Sequence, residues 1–355
     1  MALDRVDEQF ERADTLFVGR QFREAASMYR AVLETTPESI DATIGLASAL
    51  SLNGDPAATL SLWESVFNRG GVHGRTPTLL NFLTALDDLE RPPAGRPVTA
   101  PRLLARTYAY RYLAILDRRM LDRVVSAADQ ALALDPTLAG AFISKGVVYA
   151  KWDDPALALD QFARAAALQP TADTYRRIAE AAGTMGRLRE EINAYRRTVQ
   201  LEPDNWYYAG RLGDVMLNKY GDFYQAVEYY GRAHRLAPDN RSVGVMYGYA
   251  LDQLRRPEDA ETVHRDLLRR WPRDPEVVTF AAQHFIDLRR YQEAIDILVS
   301  TGPIEALSFD AAEKLGFAYQ HTTHLEKAIT AYEAALRIRP DDVDLLYDLQ
   351  ALYRR

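Results

Sequence analysis

Six histidines, at His73, His234, His264, His284, His321 and His324, are the first candidates for chemistry in this chain. Two imidazoles three residues apart can share one side of a helix end and hold a transition metal, and His321 and His324 have that spacing. No carboxylate or third donor accompanies them, and they fall at a turn between helices, so solvated turn residues are expected. His264 stands where an aromatic side chain fills its helix, and packing is expected of it. Paired acids at Asp87-Asp88, Asp153-Asp154 and Asp341-Asp342 have the right type for acid–base work. The last two pairs stand just ahead of helices, where a carboxylate caps free N–H groups, and capping accounts for them without catalysis. Cysteine is absent, which excludes a thiolate nucleophile, a disulfide frame and cysteine-based metal sites. There is no Gly-rich phosphate loop, no GxSxG elbow and no HExxH pair. The sequence therefore offers no catalytic, metal-binding or cofactor-binding residue, and a non-enzymatic role is expected.

The basic residues are more informative. The net charge is −7 and the pI is near 5.5, against a nucleic-acid binder of the usual basic kind. Yet Lys151, Arg176, Arg211 and Lys219 recur in successive segments, with Asn218 and Tyr249 at related places. Cations in such a row can receive an acidic segment or a C-terminal carboxylate through charge-assisted hydrogen bonds, Arg in bidentate fashion. The alternative is that they are solvated and pair with Glu180 and Asp252.

The elements that position these residues follow from a period. Prolines at Pro136, Pro170, Pro203, Pro238 and Pro272 are spaced by 34, 33, 35 and 34 residues, and two further steps of 34 reach Pro340. Strict spacing is needed where each unit stacks on its neighbour in one orientation, so an extra residue is expected only in the turn between units. Within 139–170, Phe142, Gly146 and Tyr149 mark a first helix and Ala158, Phe162 and Ala165 a second. Small residues let the two backbones approach while the aromatics fill the space beside them. Asp153-Asp154-Pro155 supplies the turn, with an acid at the cap and Pro at the first helical position.

Leu315-Gly316, Tyr319, Ala328, Tyr332 and Pro340 give this grammar in its clearest form. It resembles the tetratricopeptide repeat, a helix-turn-helix unit of about 34 residues with these residue types in this order. The resemblance implies an all-α, right-handed α-solenoid of about nine repeats with a C-terminal capping helix. Units are placed at 6–37, 40–73, 105–136, 139–170, 172–203, 207–238, 241–272, 275–308 and 309–340. The chain is thus divided into an N-terminal pair (1–73), an irregular segment (74–104), seven repeats (105–340) and a cap (341–355). The 275–308 unit is degenerate, because Thr301-Gly302-Pro303 breaks its second helix early. In the cap, Val343, Leu345, Leu346, Leu349, Leu352 and Tyr353 are expected on one face. In 74–104, Leu79, Leu80, Leu83, Leu86 and Leu89 suggest a helix, and the Pro-rich run from Arg91 to Pro97 a surface loop exposed to proteolysis near Arg91 or Arg96. It is either a decayed repeat with a long connection, or a hinge or docking loop.

The resemblance also implies a function. First helices of such repeats line a concave wall on which partner peptides lie, which makes Lys151, Arg176, Arg211, Asn218, Lys219 and Tyr249 the candidate partner-binding residues. Apolar residues at the ends of the row, Phe10, Phe17, Ile44 and Leu52 at the front and Phe317 and Tyr347 at the back, either grip a partner helix or pack on the next unit. Two family patterns are missing. Only Asn218 is suitably placed for the Lys/Asn carboxylate clamp of chaperone-binding members. The inward asparagine ladder of sugar-transferase members is replaced by Glu11, Gly45, Ser144, Arg177, Leu212, Met246 and Lys314. A scaffold for a protein or peptide partner is expected, with two alternatives: a regulatory or targeting region of a larger enzyme or assembly complex, or a self-associating repeat protein. The N-terminus lacks a basic segment followed by an apolar run, and no stretch approaches a membrane span, so a cytoplasmic location without membrane insertion is expected.

Overall fold

The computed structural model describes residues 2–91 and 97–354, and among these the only regular elements are helices. The helices begin where the sequence supplies an oxygen for their free N–H groups. Ser39, Thr171, Asp222, Asn240, Ser308 and Asp342 each accept from a backbone N–H in the following turn. Asp154 does so from Leu157, with Pro155 at the first helical position. Each such cap is worth about 1 kcal/mol.

The chain forms two compact units, Met1–Glu191 and Ile192–Arg355. The first contains α1 (Ala2–Val18), α2 (Phe22–Thr35), α3 (Ile40–Leu52), α4 (Leu60–Arg69), α5 (Thr76–Glu90), α6 (Ala100–Leu116), α7 (Leu121–Leu134), α8 (Ala139–Lys151), α9 (Pro155–Leu168) and α10 (Ala172–Thr184). The division falls within α11 (Leu188–Leu201). The second continues with α12 (Trp206–Val215), α13 (Phe223–Leu236), α14 (Arg241–Gln253), α15 (Pro257–Arg270), α16 (Pro275–Asp287), α17 (Tyr291–Val299), α18 (Phe309–His321), α19 (Leu325–Ile338) and α20 (Val343–Tyr353).

Helices α8 and α9, α12 and α13, α14 and α15, and α18 and α19 pack as consecutive antiparallel pairs. A glycine on the first helix lets the ring from the second lie on its backbone. At Gly316 an added Cβ would come within 2.5 Å of the Tyr332 ring, and at Gly248 within 2.8 Å of the His264 ring. Between the two helices of a pair the chain turns through a left-handed residue, Asp153 with φ 61° in one pair and Thr323 with φ 63° in another.

In the first unit, α5 departs from the pairing and packs against α3 and α1. It buries Phe82, Leu86 and Leu89 there, and Asn81 donates to Asp14 at 3.1 Å and to the Tyr29 hydroxyl at 2.9 Å. Phe10, Phe17 and Ile44 are buried in this unit, so the apolar front residues are used for packing and not left open to a partner helix. Asp88, at the end of α5, forms a buried ion pair of 2.9 Å with Arg102 of α6. The run Pro92-Pro93-Ala94-Gly95-Arg96, expected as a loop, lies outside the described residues.

Two features of the second unit differ from the sequence expectation. The extra residue behind the 35-residue spacing is absorbed inside the unit, as a single π-turn over Met216–Tyr220 at the end of α12. A π-turn takes up one residue without breaking the helix axis, and such turns are frequent at functional sites. In α20 only Leu345, Leu349 and Leu352 are buried, while Val343, Leu346 and Tyr353 are exposed. The last helix has a neighbour on one side, α19, so a narrow stripe at spacings of three and four is all it buries.

Candidate partner-binding pockets

The charged residues on the first helices are placed by helical spacing, and the same spacing decides which remain available. Arg176, on α10, is flanked one turn away on either side by carboxylates, Asp173 at 2.6 Å and Glu180 at 2.7 Å. Burial works against its charge, but its hydrogen bonds to these two carboxylates and their negative charge outweigh that and raise the guanidinium pKa. Asp173 also takes Arg177 at 2.8 Å, and its carboxyl is held below the usual range: burial would raise it, and the two arginines lower it by more. On α12, Arg211 reaches Asp214 at 2.9 Å, and Asp214 also accepts from the Tyr230 hydroxyl. Arg176 and Arg211 are thus paired within their own helices; the alternative sequence reading named Glu180, which Arg176 meets, and Asp252, which is engaged by histidines instead.

Lys151 is different. It ends α8 and lines a pocket of about 280 Å³ with Val147, Ala150, Phe162, Arg177, Glu180 and Thr184. Its ammonium pKa is lowered, first by burial and then by the nearby cations Arg111 and Arg118. No carboxylate pairs with it among the described residues. A carboxylate arriving at this pocket would meet Lys151 in the field of Arg111 and Arg118, with Arg177 and the carboxylates of Asp153 and Glu180 also in the lining.

A larger pocket, of about 590 Å³, lies in the second unit. Its walls come from four successive first helices or their ends: Asn218 from the π-turn, Met246, Tyr249, Asp252 and Gln253 from α14, Thr279, Phe280, Gln283 and Asp287 from α16, and Asp310 and Lys314 from α18. Asn218, within the π-turn, is exposed, and so is Lys219 beside it. Tyr249 and Phe280 meet edge to face, with ring centroids 5.5 Å apart. Gln283 donates to Asp287 at 2.7 Å. Three aspartates against one lysine make this lining acidic. Of the candidate residues, Lys151 and Arg176 belong to the first unit, and Asn218 and Tyr249 line an acidic pocket in the second.

Behind that pocket, Asp252 is engaged from the buried side. His264 contacts its Oδ2 through Nε2 at 2.9 Å, and His284 its Oδ1 through Nδ1 at 2.6 Å. Burial would raise the Asp252 carboxyl, yet the two imidazole hydrogen bonds hold it below the usual range. The two rings lie 4.9 Å apart and are fully buried. The sequence assigned His264 to packing, which it does, but gave no role to His284. The signal was available: the equivalent places in the neighbouring pairs are the buried Val215, Ala250 and Ala318. His321 and His324 do not converge. Each contacts its own turn instead, His321 the Phe317 carbonyl and His324 the Thr322 hydroxyl.

Consecutive antiparallel helix pairs, joined by left-handed turns and locked by glycine–ring contacts, define an all-α repeat protein. The sequence pattern of the tetratricopeptide repeat matches residues 10–64 and 245–300, and a second pattern of the same description matches 309–342. Over these residues the chain carries tetratricopeptide repeats. Among solved structures it is similar to the C-terminal part of a TPR repeat-containing protein from Cytophaga hutchinsonii, at 16% identity and TM-score 0.53, over 68% of this chain and 99% of that one. YrrB, described as a TPR protein with an unusual peptide-binding site, matches at 20% identity and TM-score 0.42, over 53% of this chain and 97% of that one. The pilF protein of Pseudomonas aeruginosa matches at 17% identity and TM-score 0.45, over 61% and 98%. These likenesses concern the fold. No curated protein matches the chain. Among the described residues, no helix is long and apolar enough to cross a membrane.

Proposed function

We propose that this protein is a non-catalytic scaffold that holds an extended peptide segment of a partner protein. Tetratricopeptide repeats are interaction modules, and the observation that carries the reading here is the 590 Å³ pocket built from the first helices of successive pairs. Its aromatic edge, formed by Tyr249 and Phe280, gives an apolar contact, and Asn218, Gln253 and Gln283 offer amide groups to a peptide backbone. Asp287 and Asp310 favour a lysine or arginine side chain in the bound segment. A pre-formed wall of this kind spares the scaffold an ordering cost on binding.

The basic reading is retained for the first unit alone. Lys151, in the field of Arg111 and Arg118, would receive a carboxylate or acidic side chain of the partner, with Arg176 and Arg177 giving up part of their pairing to Asp173. The two preferences are separable. Fluorescence anisotropy with matched peptides, one rich in Lys and Arg and one rich in Asp and Glu, should show Asp310→Asn weakening only the basic peptide and Lys151→Glu only the acidic one. Equal loss of both peptides from either variant would remove the assignment of pockets.

A further inference from the structure

Three helix pairs of the second unit, α12–α13, α14–α15 and α18–α19, share one internal slot, and its filling varies. The ring of the second helix lies on the glycine of the first and turns its polar tip to a side chain of that first helix. Tyr230 donates to Asp214, and Tyr332 donates to Gln320 at 3.0 Å. In the α14–α15 pair the slot holds His264 on Asp252. Only there does the next first helix add a polar group, His284, where Val215, Ala250 and Ala318 stand in the others. Three ionisable groups are thereby gathered where the sister junctions need one hydrogen bond. Burying a second imidazole with one ring nitrogen unpartnered, in place of a small apolar residue, costs free energy.

We propose that Asp252, His264 and His284 form a binding site for a divalent transition-metal ion of the zinc class. Two imidazoles and a carboxylate are a donor set that suits Zn²⁺, Co²⁺ or Ni²⁺. The three donor atoms lie within 4.8 Å of one another. Bonds of about 2.0–2.2 Å place tetrahedral ligands roughly 3.3 Å apart. The contacts of 2.9 and 2.6 Å must therefore open by a few tenths of an ångström as the ion enters.

Two independent observations point the same way. Nδ1 of His264 and Nε2 of His284 are buried without a hydrogen-bond partner. Each ring can move its proton to that far nitrogen and present a lone pair to the ion without breaking any other bond. In addition, Asp252 also borders the acidic pocket, where Asp287 and Asp310 give a cation a path in and leave room for water as a further ligand.

The site does not depend on the peptide-binding reading, and its test uses the full chain. After treatment with a chelator and dialysis, the protein is equilibrated with ZnCl₂ or CoCl₂, bound metal is counted by mass spectrometry, and the Co²⁺ visible spectrum is recorded. Wild type should take up one ion per chain. His264→Tyr restores the residue that the slot holds in two sister pairs, and His284→Ala restores that of two sister helices, so both should fold with unchanged circular dichroism. Each should lose at least about tenfold in affinity and the Co²⁺ d–d bands. No uptake by wild type at millimolar metal, or equal uptake by both folded variants, would overturn the proposal and leave the cluster as a hydrogen-bonding network only.

Discussion

The two pockets are built by the same rule and differ in charge, the first balanced and the second acidic. In the first unit two cations, Lys151 and Arg177, and two carboxylates, Asp153 and Glu180, line the pocket; Glu180 pairs with Arg176 and Arg177 with Asp173 on the same helix, while Lys151 lies near Arg111 and Arg118. In the second unit three aspartates face one lysine across a cavity about twice as large. Repetition of a fold therefore does not repeat its electrostatics. Spacings of three and four along one helix decide which charges cancel locally, and what is left over sets the sign of each pocket.

That contrast can be tested in order of expected effect. Replacing Asp287 and Asp310 together with lysine should abolish binding of a Lys/Arg-rich peptide, a fall of more than about a hundredfold, because attraction becomes like-charge repulsion. Anisotropy titrations at low and high salt would check this, and the loss should shrink as salt screens the charges. Lys151→Glu should weaken an Asp/Glu-rich peptide by about tenfold and leave the basic peptide untouched. Phe280→Ala removes the edge-to-face partner of Tyr249, and a destabilisation of about 1 kcal/mol is expected in urea denaturation, with a few-fold loss of the basic peptide.

The smallest effect concerns Asp173. Its folded pKa is depressed, so the stability it contributes is present above its unfolded pKa near 4 and is lost as pH falls through the lower folded value. The stability difference between wild type and Asp173→Asn should thus be visible at pH 7, stay below about 1 kcal/mol, and close under acid conditions. The same variant frees Arg176 and Arg177, and should bind the acidic peptide more tightly. An unchanged or weaker affinity would mean that these arginines do not face the pocket's ligand.

The helix pairs were legible in the sequence because proline spacing, glycine–aromatic pairs and capping acids all express one local rule, and Gly316 with Tyr332 states it plainly. The site was less so. Arg176 stood out as a cation, but its neutralisation by Asp173 and Glu180 is also readable at spacings of three and four. Asn218 was singled out as a partner-binding residue and lines the second-unit pocket, although the π-turn that carries it entered only as a 35-residue spacing. The sign of the second pocket could not be read in the same way. It depends on Asp252, Asp287 and Asp310 coming together from three helices, and no single repeat contains that information. Nor does any single repeat show that α5 covers α1 and α3, since its residues fall outside the repeat grammar.

The most direct measurement is the affinity of the full chain for a Lys/Arg-rich peptide with an aromatic residue, compared between wild type and Tyr249→Ala/Asp310→Asn. Saturable, salt-sensitive binding by wild type, reduced at least about tenfold in the double variant, is the result the account predicts. Absence of binding, or binding that both proteins share equally, would contradict a peptide-holding role for the second-unit pocket.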